Sequence, residues 1–145
     1  MHIKLTNGVP EKHTTGQLRR DNAQISFPKN IPDATLAEYG VYPYTRPERP
    51  EYDTLTSKLV DGGFEQDSVG NWVQGYVVEQ LPVDQAERNI RSKRDSLLQD
   101  TDWVVTKAYE MGASVPSEWA TYRQALRDIT TQEGFPFSVV WSTKP

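Results

Sequence analysis

The residue types that most often carry out chemistry are few in this sequence and lie far apart. His2 and His13 are the only histidines, and neither has a cysteine, aspartate or glutamate at the spacing of a metal site. Because no histidine occurs in the body of the chain, a serine nucleophile would have no base. The sequence therefore predicts neither a metal site nor a catalytic triad.

Two further patterns have the composition of chemical sites. Asp100 and Asp102 form a carboxylate pair of the kind used in acid–base catalysis, but helix capping explains them more simply. Gly62-Gly63 follows Asp61, but it lacks the lysine and the downstream helix of a phosphate-binding loop. We therefore expect no enzyme active site and no cofactor.

The informative side chains are aromatic and basic, and they lie in the last third of the chain. Arg123 and Arg127 are four residues apart beside an apolar stripe, and Trp and Arg are the types that anchor protein interfaces. Two interpretations of these residues and of Trp103 stay open: they form the core of the domain, or they bind a partner. The stripe recurs at the i, i+3, i+7 and i+10 positions of one helix face, and its members are Trp119, Tyr122, Leu126 and Ile129.

Three helices are predicted to position these side chains. Pro82 suits a first helical turn, so residues 83–99 should form the first helix. Thr101 is the expected N-cap of the second helix, which ends at Gly112, and Ser117 is the expected N-cap of the third. Helices joined by such short connections predict a small antiparallel three-helix bundle.

The stretch before the helices has a β pattern. Residues 57–66 and 72–80 alternate well enough to pair, and the residues between them have the composition of a turn. This stretch predicts a β-hairpin. A two-stranded ribbon is marginal alone, so the hairpin needs a neighbour: the helices, the N-terminal strand or another chain.

The first half of the N-terminal region predicts short elements only. Ile3 to Thr6 should be a strand, because Asn7-Gly8 is the strongest turn signal in the chain. Thr15 and Asp33 are expected to cap two brief helices. A proper hydrophobic core is expected only from about Asp53 onward, because six of the ten prolines lie within the first fifty residues.

Residues 41–50 form the least ordinary segment of the sequence. Their prolines are three or four residues apart, and Tyr42 and Tyr44 flank the first of them, which favours a polyproline-type strap without internal hydrogen bonds. Two interpretations stay open: a loose linker, or an arm whose tyrosines pack on a partner chain. The fold class predicted from these segments is α+β, with a Pro-rich N-terminal arm at residues 1–52, a β-hairpin at 53–81 and the helical domain at 82–145.

Charge and composition exclude several classes of function. The net charge is −4, and no segment has the basic excess that binding to nucleic acid requires. The chain has no cysteine, so disulfides and thiolate sites are excluded. No window has the apolar length of a membrane span, and the N-terminus lacks a signal-peptide core. We expect a protein that works in the cytosol of the cell that makes it, without nucleic acid or membrane as a partner.

Three linked motifs in the last third resemble the tail-assembly chaperone (tail-fibre assembly) domains of tailed bacteriophages. They occur in the order typical of that family over about 45 residues. The matching residues are Leu97-Leu98, Thr101-Asp102-Trp103, Trp119, Tyr122-Arg123, Leu126-Arg127-Asp128, Gly134-Phe135-Pro136 and Trp141. The start of the chain resembles the leader of small phage tail proteins that carry this domain, through Leu18-Arg19, Ser26-Phe27-Pro28 and Leu36 with Tyr39-Gly40-Val41.

The resemblance implies a non-enzymatic chaperone that binds a tail-fibre protein or another tail protein in the host cytoplasm during assembly. The partner-binding residues would be Trp103, Trp119, Tyr122, Arg123 and Arg127 in the helical domain. Tyr42 and Tyr44 would join them if the strap packs on a partner. The alternative is a structural component of the virion, a fibre- or baseplate-associated adaptor that stays in the mature tail. Whether the chain forms a homo-oligomer stays open.

Overall fold

The computed structural model describes residues 1–145, and the chain is α+β with two compact units. Unit 1 comprises Met1–Glu51 and Leu59–Val77, and unit 2 comprises Tyr52–Lys58 and Val78–Pro145. None of the helices combines the length and the apolar character that crossing a bilayer requires. The predicted division at residues 52 and 81 stays a prediction.

The regular elements are five strands, five α-helices and one 3₁₀ turn. Their bounds in chain order are β1 (His2–Thr6), β2 (Val9–His13), α1 (Thr15–Asp21), α2 (Asp33–Glu38), β3 (Val41–Thr45), β4 (Ser57–Gln66), β5 (Trp72–Gln80), α3 (Val83–Gln99), α4 (Asp102–Glu110), α5 (Ser117–Arg127) and the 3₁₀ turn Asp128–Thr131. The ranges predicted for β4, β5 and α3 are those observed.

The strands form one sheet in the order β2-β1-β3-β5-β4. β1 pairs antiparallel with β2 and with β3, and β3 pairs parallel with β5 over a short register at Tyr44 and Thr45. Asn7 and Gly8 both have positive φ, of 54° and 82°, which is the backbone that a two-residue hairpin turn requires. The predicted turn is therefore confirmed, and it leads into a strand, β2, that the sequence did not predict.

The predicted polyproline strap over residues 41–50 is wrong for its first half, because Val41–Thr45 is strand β3. Leu5 and Tyr44 donate backbone hydrogen bonds across the β1–β3 pair, to Gly40 and Met1. Since hydrogen-bonded and non-bonded pairs alternate in antiparallel strands, Pro43 falls opposite His2 at a position where no N–H is needed. Residues 46–53 have no regular structure.

The expectation that the core starts only near Asp53 is also wrong, because the N-terminal region has a core of its own. Leu18 of α1, Leu36 of α2 and Val41 of β3 are fully buried and pack together. Phe27 and Tyr39 cover this cluster and meet edge to face, with their ring centroids 5.3 Å apart. Burial of this apolar surface is the force that orders a segment rich in proline.

The sheet of unit 1 curls strongly. Five strands about 4.8 Å apart would place the two outer strands about 19 Å apart in a flat sheet. Nevertheless, the ammonium group of Lys12 on β2 donates a hydrogen bond to Asp61 on β4. Arg46 also reaches Asp61, at 3.4 Å, and its Nε donates to Gln74 on β5 at 2.9 Å. Lys12 and Arg46 lower the pKa of Asp61, mainly through the hydrogen bond from Lys12.

β4 and β5 approach each other closely at two glycines of unit 1. A Cβ atom at Gly62 would lie 2.8 Å from the carbonyl carbon of Gly75, whereas a Cβ at Gly63 would meet nothing within 4 Å. Of the two glycines, Gly62 is therefore the one that the close packing of β4 and β5 requires.

The N-caps predicted from the sequence differ from those observed. α1 is capped by Thr14 and not by Thr15, since the Thr14 hydroxyl accepts from the Gln17 N–H in a capping box. α2 and α5 follow Pro32 and Pro116, and neither has a side-chain cap. Thr101 is at the N-cap position of α4, but its hydroxyl makes no capping bond.

Unit 2 carries the remaining three helices. α3 buries Ala86 and Ile90, and α5 packs against it. Asn89 on α3 donates to the carbonyl of Leu55 at 2.9 Å, and the Leu81 N–H donates to the carbonyl of Thr56. The antiparallel bundle arrangement of the three helices stays a prediction.

Candidate partner-binding surface

A buried arginine joins the end of α3, the start of α4 and the middle of α5. Arg123 is only 8% exposed, and its Nη1 donates to the Leu98 carbonyl at 2.8 Å and to the Thr101 hydroxyl at 2.6 Å. Its Nη2 donates to the Asp102 carboxylate at 2.8 Å. The last carbonyls of a helix lack partners within the helix, so a cation at this end satisfies them and complements the helix dipole.

Thr101 is the second member of this network. It is fully buried, and its hydroxyl donates to the Leu98 carbonyl at 2.9 Å while it accepts from Arg123. The hydroxyl therefore connects two helices, which explains why it does not cap α4. Of the two interpretations left open for Arg123, the contacts favour the structural one.

The aromatic residues of α4 and α5 form a continuous row of edge-to-face contacts. The ring centroids of Trp103 and Trp119 are 5.9 Å apart, and those of Trp119 and Tyr122 are 6.4 Å apart. Burial falls along this row, because Tyr122 is 4% exposed, Trp119 is half-buried and Trp103 is 56% exposed. Tyr122 therefore belongs to the core, whereas Trp103 presents more than half of its surface to solvent.

Helix α4 exposes apolar side chains on both flanks. Only Val104 and Ala108 of this helix are buried, so it packs on unit 2 by a narrow stripe. Large exposed apolar patches on a monomeric protein mark interaction sites. The exposed apolar side chains of α4 and of its C-cap residue are Trp103, Val105, Tyr109 and Met111.

An apolar groove of about 300 Å³ runs between α4 and the start of α5. One wall is the row Trp103, Lys107 and Met111, which recurs every four residues along α4. The other wall includes Pro116 and Trp119. Sequence reasoning missed Lys107 and Met111 as members of this surface, although their i, i+4, i+8 spacing from Trp103 was the signal that could have found them.

The C-terminal tail has no regular structure and lies against α3 and α5. The Gln132 side chain binds both backbone groups of Val140, accepting from its N–H at 2.7 Å and donating to its carbonyl at 3.0 Å. The ammonium group of Lys93 stands 4.5 Å from the centre of the Trp141 ring. Further along, the ammonium group of Lys144 lies 6.0 Å from the centre of the Trp119 ring, beside the groove.

The remaining residues proposed from the sequence are dispersed. Arg127 is exposed on α5. In unit 1, Tyr42 is half-buried on β3, and Tyr44 is 8% exposed because its ring packs edge to face on Phe64 at 4.9 Å. The structure therefore brings together Trp103, Trp119, Tyr122 and Arg123, and their role in binding a partner stays a prediction.

The two histidines meet across the β1–β2 pair, where His2 is opposite His13. The His13 side chain is about one-tenth exposed, and its Nε2 has no hydrogen-bond partner, with the Asp21 carboxylate 3.7 Å away. Burial lowers the pKa of both imidazoles, and the cations Lys4 and Arg20 lower that of His13 further. No group of three or more histidine or acidic side chains is arranged to hold a metal ion.

Comparison with known proteins gives one match. Residues 87–145 match the family model described as phage tail assembly chaperone protein. No curated protein and no solved structure gives a significant match to the chain. The matched range covers α3 from Glu87 onward, α4, α5 and the tail, so it contains the arginine network, the aromatic row and the groove. Residues 87–145 of this chain are therefore similar to the phage tail assembly chaperone family.

Proposed function

We propose that this protein is a non-enzymatic chaperone of phage tail assembly, and that it binds a tail or tail-fibre protein through α4 and the start of α5. The observation that carries the proposal is the exposed apolar surface of α4, which lies inside the range that matches the family. Trp103 is its centre, since a tryptophan that is more than half exposed and yet ordered by a neighbouring ring is typical of a binding anchor.

The physical role would be to cover apolar surface or unpaired strand edges of the client until that client oligomerises or docks. The proposed place of action is the cytoplasm of the bacterial host during assembly.

The proposed residues take different roles in this scheme. Trp103 and Trp119 contact the client directly. Tyr122 and Arg123 hold the helices that present those two rings, so their loss would act through the fold. Arg127 contributes an exposed cation on α5, and Tyr42 with Tyr44 would form a separate contact on β3.

Co-expression tests the proposal. The tail and fibre genes of the phage that encodes this protein are expressed with the wild-type chain, with Trp103→Ala, or without it, and the soluble fraction and oligomer yield of each tail protein are measured. We expect one tail protein to lose solubility without the chaperone and with Trp103→Ala. The matched control is Val69→Ala, which removes an exposed apolar side chain from the β4–β5 turn.

Unchanged solubility of every tail protein in the absence of the chain would contradict the proposal. Mass spectrometry of purified particles provides a second test, because a transient chaperone should be absent from them. If the particle contains a stoichiometric amount of this protein, its function is that of a fibre- or baseplate-associated adaptor and not that of a chaperone.

A further inference from the structure

The groove beside Trp103 is suited to a short segment of chain and is too small for a folded surface. Its volume of about 300 Å³ is at the lower end of the range for pockets that hold small ligands. The walls are two indole rings, a methionine and a proline, so an aromatic or branched aliphatic side chain is the group that they would desolvate most favourably.

The only charge in the lining of the groove is positive. Lys107 is the only charged residue in its lining, and its ammonium group makes no ion pair anywhere in the structure. The acidic residue at the α4 entrance, Asp102, already accepts a hydrogen bond from Arg123. Lys144 adds a second cation beside Trp119. A carboxylate entering the groove would therefore meet a free cation and no opposing acid from the lining.

We propose that this groove binds a short segment of the client in which an aromatic or aliphatic side chain is next to an aspartate or glutamate. The inference rests on the proposed function and specifies the chemistry of the client. The apolar side chain lies in the groove against the rings of Trp103 and Trp119, and the carboxylate pairs with Lys107. A basic segment would be repelled by Lys107, and a neutral segment would leave that ammonium group without a partner.

Three synthetic peptides test this preference directly. Each is blocked at both ends and has a central leucine–phenylalanine pair, flanked by two aspartates, two asparagines or two lysines. Their binding is followed through the indole N–H signals of Trp103 and Trp119 in ¹⁵N-labelled full-length protein. We expect the aspartate peptide to shift both signals and to bind about threefold to fivefold more tightly than the asparagine peptide, as for a partly exposed ion pair. The lysine peptide should bind most weakly.

Charge reversal at Lys107 separates specific pairing from general electrostatics. In Lys107→Glu we expect the order of the three peptides to invert. The matched control is Lys29→Glu, which makes the same charge change at an exposed position of unit 1 and should keep the wild-type order. Equal affinity of the three peptides, or an unchanged order in Lys107→Glu, would overturn the proposal.

Other occupants give other outcomes. If the indole signals of the free protein shift on dilution and the sedimentation coefficient falls with them, a second copy fills the groove and the proposal is wrong. If Lys107→Glu leaves client solubility intact in the co-expression assay while Trp103→Ala abolishes it, the acidic preference fails and the chaperone function stands. If neither variant affects solubility and the tail proteins are soluble without the chain, the proposed function itself fails.

Discussion

Arg123 on α5 donates a hydrogen bond of 2.6 Å to the hydroxyl of Thr101, a fully buried residue at the start of α4. The same guanidinium group binds the Leu98 carbonyl and the Asp102 carboxylate. One side chain therefore fixes the α3–α4 corner relative to α5. Trp103 is next to Asp102 in the chain, so the position of the exposed indole depends on this buried contact.

Replacing Arg123 should destabilise unit 2 strongly. Arg123→Ala removes the three hydrogen bonds that join α5 to the α3–α4 corner, and we expect a loss of about 2–4 kcal/mol in the free energy of unfolding. Urea denaturation followed by tryptophan fluorescence measures it. The matched control is Arg127→Ala, an exposed arginine one turn later that should change stability by less than about 0.5 kcal/mol. Equal effects of the two variants would contradict the structural role of Arg123.

The two adjacent glycines of β4 should differ in their response to the same substitution. Gly62→Ala places a methyl group against the backbone of Gly75, 2.8 Å from its carbonyl carbon. We expect the free energy of unfolding to fall by about 1–3 kcal/mol. Gly63→Ala meets nothing within 4 Å and should be close to neutral. Thermal unfolding by circular dichroism compares them. A Gly62→Ala variant as stable as Gly63→Ala would show that β4 and β5 are not packed this closely.

Unit 1 should lose stability at mildly acidic pH because of its histidine pair. Burial holds the pKa of His13 below 6.5, and Lys4 and Arg20 act in the same direction against Asp21. The unfolded chain therefore binds a proton more readily than the folded chain. The contribution of neutral His13 to the free energy of unfolding is fully present above about pH 6.5 and decreases as the pH drops below it.

The measurement is the urea concentration at which the Ile3 and Leu18 amides lose half of their protection from hydrogen exchange, determined at several pH values from 7.5 to 5. His13→Gln should flatten the dependence, with only the contribution of His2 remaining. A wild-type midpoint that stays constant from pH 7.5 to pH 5 would contradict the expectation.

Release of the C-terminal tail should follow loss of a single amide side chain. Gln132→Ala removes both hydrogen bonds to Val140, so the Val140 amide should exchange with solvent much faster while global stability changes little. Gln124→Ala is the control, because Gln124 bonds only to the exposed Asp128. Unchanged protection of the Val140 amide in Gln132→Ala would show that other contacts hold the tail.

The helices and the β4–β5 strands could be predicted because their signals are local. Pro82 marks the start of α3, and alternation over nine or ten residues marks the two strands. Of the N-terminal strands, β1 was predicted, whereas β2 and β3 were missed because Pro10 and Pro43 argue against β structure in any local window. A strand tolerates a proline where the residue pair across the ladder forms no hydrogen bonds, and only the assembled sheet determines which pairs these are.

The candidate site was predicted only in part, because burial of its residues depends on contacts that are distant in sequence. The motif identified Trp103, Trp119, Tyr122 and Arg123, but it did not distinguish the buried members from the exposed ones. Burial of Arg123 requires three acceptors that lie 21 to 25 residues away in sequence, and no spacing rule within α5 reveals them. Lys107 was missed because its i+4 spacing from Trp103 marks a shared helix face but does not show that a groove lies beside that face.

The ion pair between Lys12 and Asp61 ties together the first and last strands of the curled sheet. The outermost strands of an open sheet are templates on which other chains polymerise. Charged side chains on those outer strands disfavour pairing with another chain. Lys12 and Asp61 place such charges on β2 and β4, so the N-terminal unit carries its own protection against edge-to-edge aggregation.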